Sequence, residues 1–150
     1  MINIIRTDST HPDFIELVKL LDADLAKRDG EEHAFYAQFN KIDTIKNAIV
    51  AYENEIPIAC GAFKLYEDTV VEIKRMFVIP AQRGKGTASK MLNELENWAR
   101  ELNFEACVLE TGYNQPEAIA LYKKNGYLIT SNYGQYIGVA NSICFKKYLS

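Results

Sequence analysis

The residues best placed to do chemistry fall in one stretch, 72–89, which reads EIKRMFVIPAQRGKGTAS. Its second half, Gln82-Arg83-Gly84-Lys85-Gly86-Thr87-Ala88-Ser89, lies between a β-rich run and a helical pattern. Glycines at alternate positions let a backbone turn sharply and approach a ligand with no Cβ in the way. The first amides of a helix have no intrahelical acceptor, and the helix dipole favours an anion there. Arg83 and Lys85 add positive charge, and the small Ala88 and Ser89 permit close approach in the first turn. Together these features make a cradle for a diphosphate. Charge-assisted hydrogen bonds of about 1.5–3 kcal/mol each would anchor a ligand in it. The same residues also suit an ordinary solvated turn. Two other phosphate loops do not fit. A G-x-x-x-x-G-K-[ST] loop fails because Lys85 is followed by Gly86, and a G-x-G-x-x-G fingerprint fails because Ser89 stands at the third glycine.

The run before the loop, 69–79, alternates. Thr69, Val71, Ile73, Arg75, Phe77 and Ile79 are mostly apolar and are expected to face a helix layer. Glu72 and Lys74 then share the opposite face. A carboxylate inside an interior strand is costly unless water or a partner reaches it, so that face is expected to line a cleft. An ion pair with a neighbouring strand is the alternative. A third segment, 114–127, reads NQPEAIALYKKNGY. It offers Asn114 as a helix cap, with Glu117 completing an N-x-x-E capping box. It also holds Tyr122, whose plain role would be core packing with a satisfied hydroxyl.

The elements that must position these residues follow from periodicity. Residues 2–5 read as a short strand. Residues 12–28 read as a helix, because Phe14, Leu17, Val18, Leu21 and Leu25 recur at 3-4 spacing behind Pro12 and before Gly30. Residues 31–46 predict a short helix and a loop. Three β-rich runs, 48–53, 56–66 and 69–79, are joined by tight polar connections and predict an antiparallel meander. Helix 86–102 carries a stripe of Met91, Leu95, Trp98 and Leu102, with Leu92 and Ala99 beside it. Strand 106–111 and helix 115–125 come next, with Gly126 as the helix stop, and strands 127–131 and 142–148 close the sheet. The order β-α-β-β-β-α-β-α-β-β predicts one domain over 1–150 with a mixed α/β sheet and helices on its faces.

Composition narrows the function. The chain has 150 residues and a net charge of −3, which argues against gripping nucleic acid through phosphates and against a polybasic membrane anchor. No apolar stretch reaches 18 residues or so, and the N-terminus lacks an apolar signal core. Cys60, Cys107 and Cys144 are odd in number, widely spaced and set in apolar runs. They read as small buried hydrophobes rather than disulfides, and His11 and His33 have no ligand spacing, so no metal site is expected. A cytoplasmic protein with reduced thiols is the expectation.

These motifs in this order resemble the GNAT (Gcn5-related N-acetyltransferase) superfamily. Arg83-Gly84-Lys85-Gly86-Thr87-Ala88 is similar to its R/Q-x-x-G-x-G/A pyrophosphate motif, and Asn114 through Tyr122 to Gly126-Tyr127 resembles its second motif. LETG at 109–112 and the ending SICFKK resemble a bacterial subgroup of acetyltransferases. The resemblance spans about residues 45–148. It implies a sheet that splays between strands 69–79 and 106–111, with acetyl-CoA in the gap as cosubstrate. Met76, Phe77 and Val78 would pair with the pantetheine arm, and a bulge in that strand would give both Phe77 and Val78 partners. The cofactor-binding set it implies also holds Arg83, Gly84, Lys85, Gly86, Thr87, Ala88, Ser89, Asn114 and Tyr122.

The implied reaction is direct attack of an amine on the thioester. An alkyl amine of pKa near 10.4 is neutral about once in a few thousand molecules at pH 7, so a group must accept its proton. Glu72 matches a catalytic glutamate of some relatives, and Glu110 is the second candidate. A backbone N–H near Phe77 or Val78 would meet the oxyanion. Tyr122 matches the tyrosine that assists the departing thiolate. A non-catalytic acyl-CoA-binding regulatory module on the same fold is the competing function. The acceptor, a small-molecule or peptide amine, stays open. Asp29, Glu31, Glu32 and Tyr36 would line a cationic site or a solvated loop. Tyr133 and Tyr136 would cover the acceptor or pack at the interface of a homodimer.

Overall fold

A computed structural model of the chain describes residues 1–29 and 44–149. Most of the expected 31–46 segment lies outside them, as do Glu31, Glu32, Tyr36 and the side chain of Asp29. The described elements are β1 (Ile2–Thr7), α1 (Pro12–Asp29), β2 (Asn47–Glu53), β3 (Ile56–Glu67), β4 (Val70–Val78), α2 (Thr87–Glu101), β5 (Ala106–Gly112), α3 (Pro116–Lys124), β6 (Leu128–Thr130) and β7 (Ser142–Tyr148). The predicted order is the observed one. The strands form one seven-stranded sheet, β1-β2-β3-β4-β5-β7-β6. Every neighbouring pair is antiparallel except β4–β5. None of the described helices is long and apolar enough to cross a membrane.

Both faces of the sheet are covered, and the period-2 alternation of β2 shows how. Ala48 and Val50 pack with Phe14, Leu17, Val18 and Leu21 of α1. Ile49 and Ala51 pack with Met91, Leu92, Leu95 and Ala99 of α2. The apolar stripes predicted for the two helices are thus the stripes they bury, apart from Leu102, which is exposed. The β2–β3 hairpin turns on Asn54 and Glu55, whose φ values of 52° and 68° give the left-handed pair that matches strand twist. All three cysteines are buried and free. Burial pushes the Cys60 and Cys107 thiols up to about 12 and that of Cys144 to about 11, so they act as hydrophobes rather than nucleophiles.

One irregularity in β4 decides which side chains reach the space between β4 and β5. Lys74 pairs with Ala62 but Phe77 with Cys60, so β4 holds one residue more than β3 across that step. Arg75 absorbs it at φ 61°. A bulge reverses the side-chain parity of everything beyond it. Val71 and Ile73 face α2 before the bulge, and Val78 does so after it, with Met76 packed alongside. Phe77 joins the α1 side. The expectation that the odd positions share one face is therefore corrected at Arg75, whereas the bulge giving Phe77 and Val78 separate partners is as expected. The sheet also parts, from just before the bulge onwards. β4 pairs with β5 only at Val70–Ala106, Val71–Cys107 and Glu72–Val108.

Candidate functional site

The parting of β4 from β5 opens a cleft of about 580 Å³. Met76, Phe77 and Val78 form one wall, and Gln115, Ala118, Leu121 and Tyr122 form the other. Its end is made by Arg83, Gly84, Gly86, Thr87, Ala88 and Ser89. Lys85 is exposed and outside this lining.

The loop geometry explains the glycines. Gly84 and Gly86 lie at φ 79° and 80°, where a side chain would be strained, and the space where a Cβ would stand is open at both. Gly86 is also the residue before the first turn of α2, with no side-chain cap on that turn. Its carbonyl receives the first helical bond from Lys90 N–H at 3.1 Å. The amides of Thr87, Ala88 and Ser89 thus remain as the orphan donors of a helix start. The Thr87 hydroxyl is buried with no hydrogen-bond partner. An open glycine surface, orphan amides and an orphan hydroxyl fit an anionic group such as a diphosphate. The Arg83 side chain is folded back from the loop. Its Nε donates to the Val78 carbonyl at 2.9 Å, and its guanidinium lies over the Phe77 ring at 5.6 Å.

Helix α3 starts one residue later than a cap at Asn114 requires. Gln115 holds the cap position without a side-chain bond, and Pro116 sets the first turn. The Asn114 cap and the capping box with Glu117 are corrected on that ground. Asn114 is exposed, and Gln115 is the residue that reaches the cleft wall. The spacing Gln115, Ala118, Leu121 and Tyr122 marks one helical face, which is the signal that could have found this wall.

The end of α3 fixes Tyr122. Gly126, at φ 90°, lets its N–H bond the Lys123 carbonyl at 3.2 Å while Tyr127 N–H bonds the Tyr122 carbonyl at 3.0 Å. This double closure is a Schellman motif, and the Tyr122–Tyr127 ring contact at 5.8 Å is its usual apolar companion. Burial first, and the Glu110 carboxylate second, push the Tyr122 phenol well above its ordinary value. It stays a neutral donor throughout the physiological range. The Asn125 amide also donates to Ser89 Oγ at 3.1 Å, tying the end of α3 to the first turn of α2.

Tyr122, Met76, Gln115, Ala118 and Leu21 also line a second, smaller chamber of about 120 Å³, so the two spaces meet at a neck. Glu72, Lys74, Arg75, Glu110, Thr111 and Tyr136 add polar lining. Glu72 is 4% exposed. Its Oε1 lies 3.8 Å from Lys74 Nζ, and its Oε2 accepts a hydrogen bond from the Tyr133 hydroxyl at 2.6 Å. Glu110 accepts from Ser142 Oγ at 2.7 Å. Arg75 meets Asp22 of α1 at 3.3 Å. Desolvation lowers the Lys74 ammonium below its ordinary value, against the pull of Glu72. Glu72 thus lines a chamber as expected, and its ion pair is with Lys74 of its own strand rather than with the neighbouring strand of the alternative. Among the described residues, no group of three or more His, Cys, Asp or Glu is placed to hold a metal ion.

Comparison with known proteins bears on the family and the fold. The acetyltransferase (GNAT) family profile matches residues 14–127. An IAA acetyltransferase of Azospirillum brasilense is 37% identical over 89 residues, 59% of this chain and 58% of that protein. The chain thus spans little more than half the length of that curated relative. The crystal structure of a Klebsiella pneumoniae protein of the acyl-CoA N-acyltransferase class is 30% identical, covers 100% of this chain and 99% of its own, and superposes with a TM-score of 0.83. YncA of Salmonella typhimurium, solved with acetyl-CoA, is 18% identical with a TM-score of 0.71 over 99% of this chain and 94% of its own. That similarity shows the fold alone.

Proposed function

Since the chain belongs to the GNAT acetyltransferase family, we propose that it moves an acetyl group from acetyl-CoA to a primary amine of a small-molecule or peptide acceptor. The observation that supports this most is the 580 Å³ cleft, which joins a glycine-rich helix start to the unzipped part of β4 and to Tyr122. Acetyl-CoA bound there would supply a thioester carbonyl for the amine to attack. The amides of Thr87, Ala88 and Ser89 hold the diphosphate. Main-chain groups of Met76–Val78, beyond the last β4–β5 pair, bind the pantetheine arm, and an N–H of Phe77 or Val78 polarises the carbonyl. Glu72 takes a proton from the acceptor's ammonium so that the neutral amine attacks, with Glu110 as the other carboxylate in the chamber. The Tyr122 O–H hydrogen-bonds the departing sulfur. Because burial makes this phenol a weaker acid than usual, it stabilises the thiolate rather than fully protonating it.

The test has two arms. Calorimetric titration of the folded protein with coenzyme A should show uptake at one site. A panel of amines with acetyl-CoA, followed by thiol release and mass spectrometry of products, should identify the acceptor. Uptake with no amine acetylated would favour the acyl-CoA-binding module. No uptake would remove both readings.

A further inference from the structure

Glu72 lies in β4, and 61 residues later the chain returns a hydroxyl to it. That hydroxyl belongs to Tyr133, just before the 3-10 turn Gly134–Tyr136. The turn is braced from within, because the Asn132 amide donates to the Tyr136 and Val139 carbonyls at 3.1 and 3.0 Å. It is braced from outside by an edge-on ring contact of Tyr133 with Tyr66 of β3 at 4.9 Å, and a second such contact, Tyr133 with Tyr136 at 5.7 Å, lies within it. Tyr136 is 3% exposed. A phenol held this firmly, 2.6 Å from a buried carboxylate oxygen, is a built contact rather than a passing one.

We propose that Tyr133 is a positioning residue for Glu72. Its O–H holds Glu72 Oε2 and so fixes the carboxylate rotamer in the chamber. The inference rests on the reading of Glu72 as that proton acceptor. The other charged or titratable groups facing Glu72 come from every neighbouring element. Lys74 shares its strand, and Lys64, paired opposite it, and Tyr66 lie on β3. Glu110 lies on β5, Cys144 on β7 and Tyr136 in the turn. From α1, Asp22 is engaged with Arg75. Burial raises Tyr133, Tyr136 and Cys144, so these three stay protonated in the acid and neutral range. Glu110 has its own donor, Ser142. Removing the Tyr133 hydroxyl therefore acts on the Glu72 carboxylate first.

The test is Tyr133→Phe, which keeps the ring and its contacts, read as kcat/KM against pH with an amine that the protein acetylates. A thermal melt confirms folding. Loss of the contact should lower kcat/KM for the amine about tenfold near neutral pH, with KM for acetyl-CoA within about twofold, and the loss should shrink towards pH 10, where the amine sheds its proton unaided. In a Glu72→Gln background the same change should leave the profile alone, as a double-mutant cycle requires. A uniform loss at every pH, no loss, or the same loss without Glu72 would overturn the proposal. A Glu72→Gln protein with the parent profile would instead remove Glu72 from the reaction, and Tyr133 with it.

Discussion

Gly61 faces the β4 bulge, and replacing it with alanine tests how tightly the neck of the cleft is built. A Cβ there would stand 2.7 Å from Met76 Sδ and 3.0 Å from Leu95 Cδ1. Both distances are too short, so something must give. Its φ is outside the left-handed region, so the backbone accepts alanine and the unfolded chain loses entropy worth about 0.4–1 kcal/mol in favour of folding. Overpacking costs about 1–3 kcal/mol. The thioether is flexible but Leu95 Cδ1 is crowded as well, so the cost falls near the middle of that range, about 1.5–2 kcal/mol, and the net loss is about 1 kcal/mol. For a chain of this length that is a fall of roughly 2–4 °C in Tm. The functional effect should be larger. Met76 lines both the cleft and the chamber, so the displaced sulfur moves into the space where the two meet. We expect kcat/KM for acetyl-CoA to fall about tenfold, equivalent to about 1.4 kcal/mol, and Gly61→Ala/Met76→Ala to recover the melting temperature. The assays are thermal melts and steady-state acetyl transfer. A Gly61→Ala protein with parental kcat/KM, or a melting loss beyond roughly 10 °C that the second substitution does not restore, would refute this account of the neck.

Other substitutions probe the remaining parts. Tyr122→Phe should lower turnover by roughly 10²–10⁴ while coenzyme A still binds by calorimetry, and unchanged turnover would take Tyr122 out of the mechanism. Glu72→Gln should slow transfer most near neutral pH and least at high pH, where the amine loses its proton unaided; pH-rate profiles decide this. Gly86→Ala forces a side chain to φ 80°, so a stability loss of about 1 kcal/mol and weaker coenzyme A uptake are expected. Lys147→Met strands Glu96, which is 1% exposed and is bonded by Lys147 Nζ at 2.9 Å. The Tyr127 hydroxyl still donates to Glu96, so the loss should sit near the lower end of the range for broken buried pairs, about 3 kcal/mol, visible as a fall in Tm.

Whatever local chemistry dictates is legible in the sequence. Apolar spacing locates α1 and α2 and, Leu102 apart, their buried faces, and the paired glycines mark the two left-handed positions of the loop. The bulge is not legible, because an arginine carries no preference for φ 61°; strict alternation then misplaces Arg75 and Phe77 relative to Ile73. Asn114 attracts the cap assignment by residue type, although Pro116 already fixes Gln115 as the residue before the first turn. Tyr133 reads in the sequence only as a cover or an interface residue, since nothing local links it to a carboxylate so far back in the chain. Long-range contacts of this kind come from topology, and periodicity does not encode them.

The unzipped margin of β4 bears on handling as well as on chemistry. From Ile73 to Val78 the strand has no β5 partner among the described residues, and its sequence IKRMFV is mostly apolar. Such margins are templates for illicit pairing between copies. Two arginines guard this one: Arg75 kinks it out of true, and Arg83 occupies the Val78 carbonyl. Losing either guard should make the bare protein prone to aggregate, and adding coenzyme A to the buffer should restore its solubility.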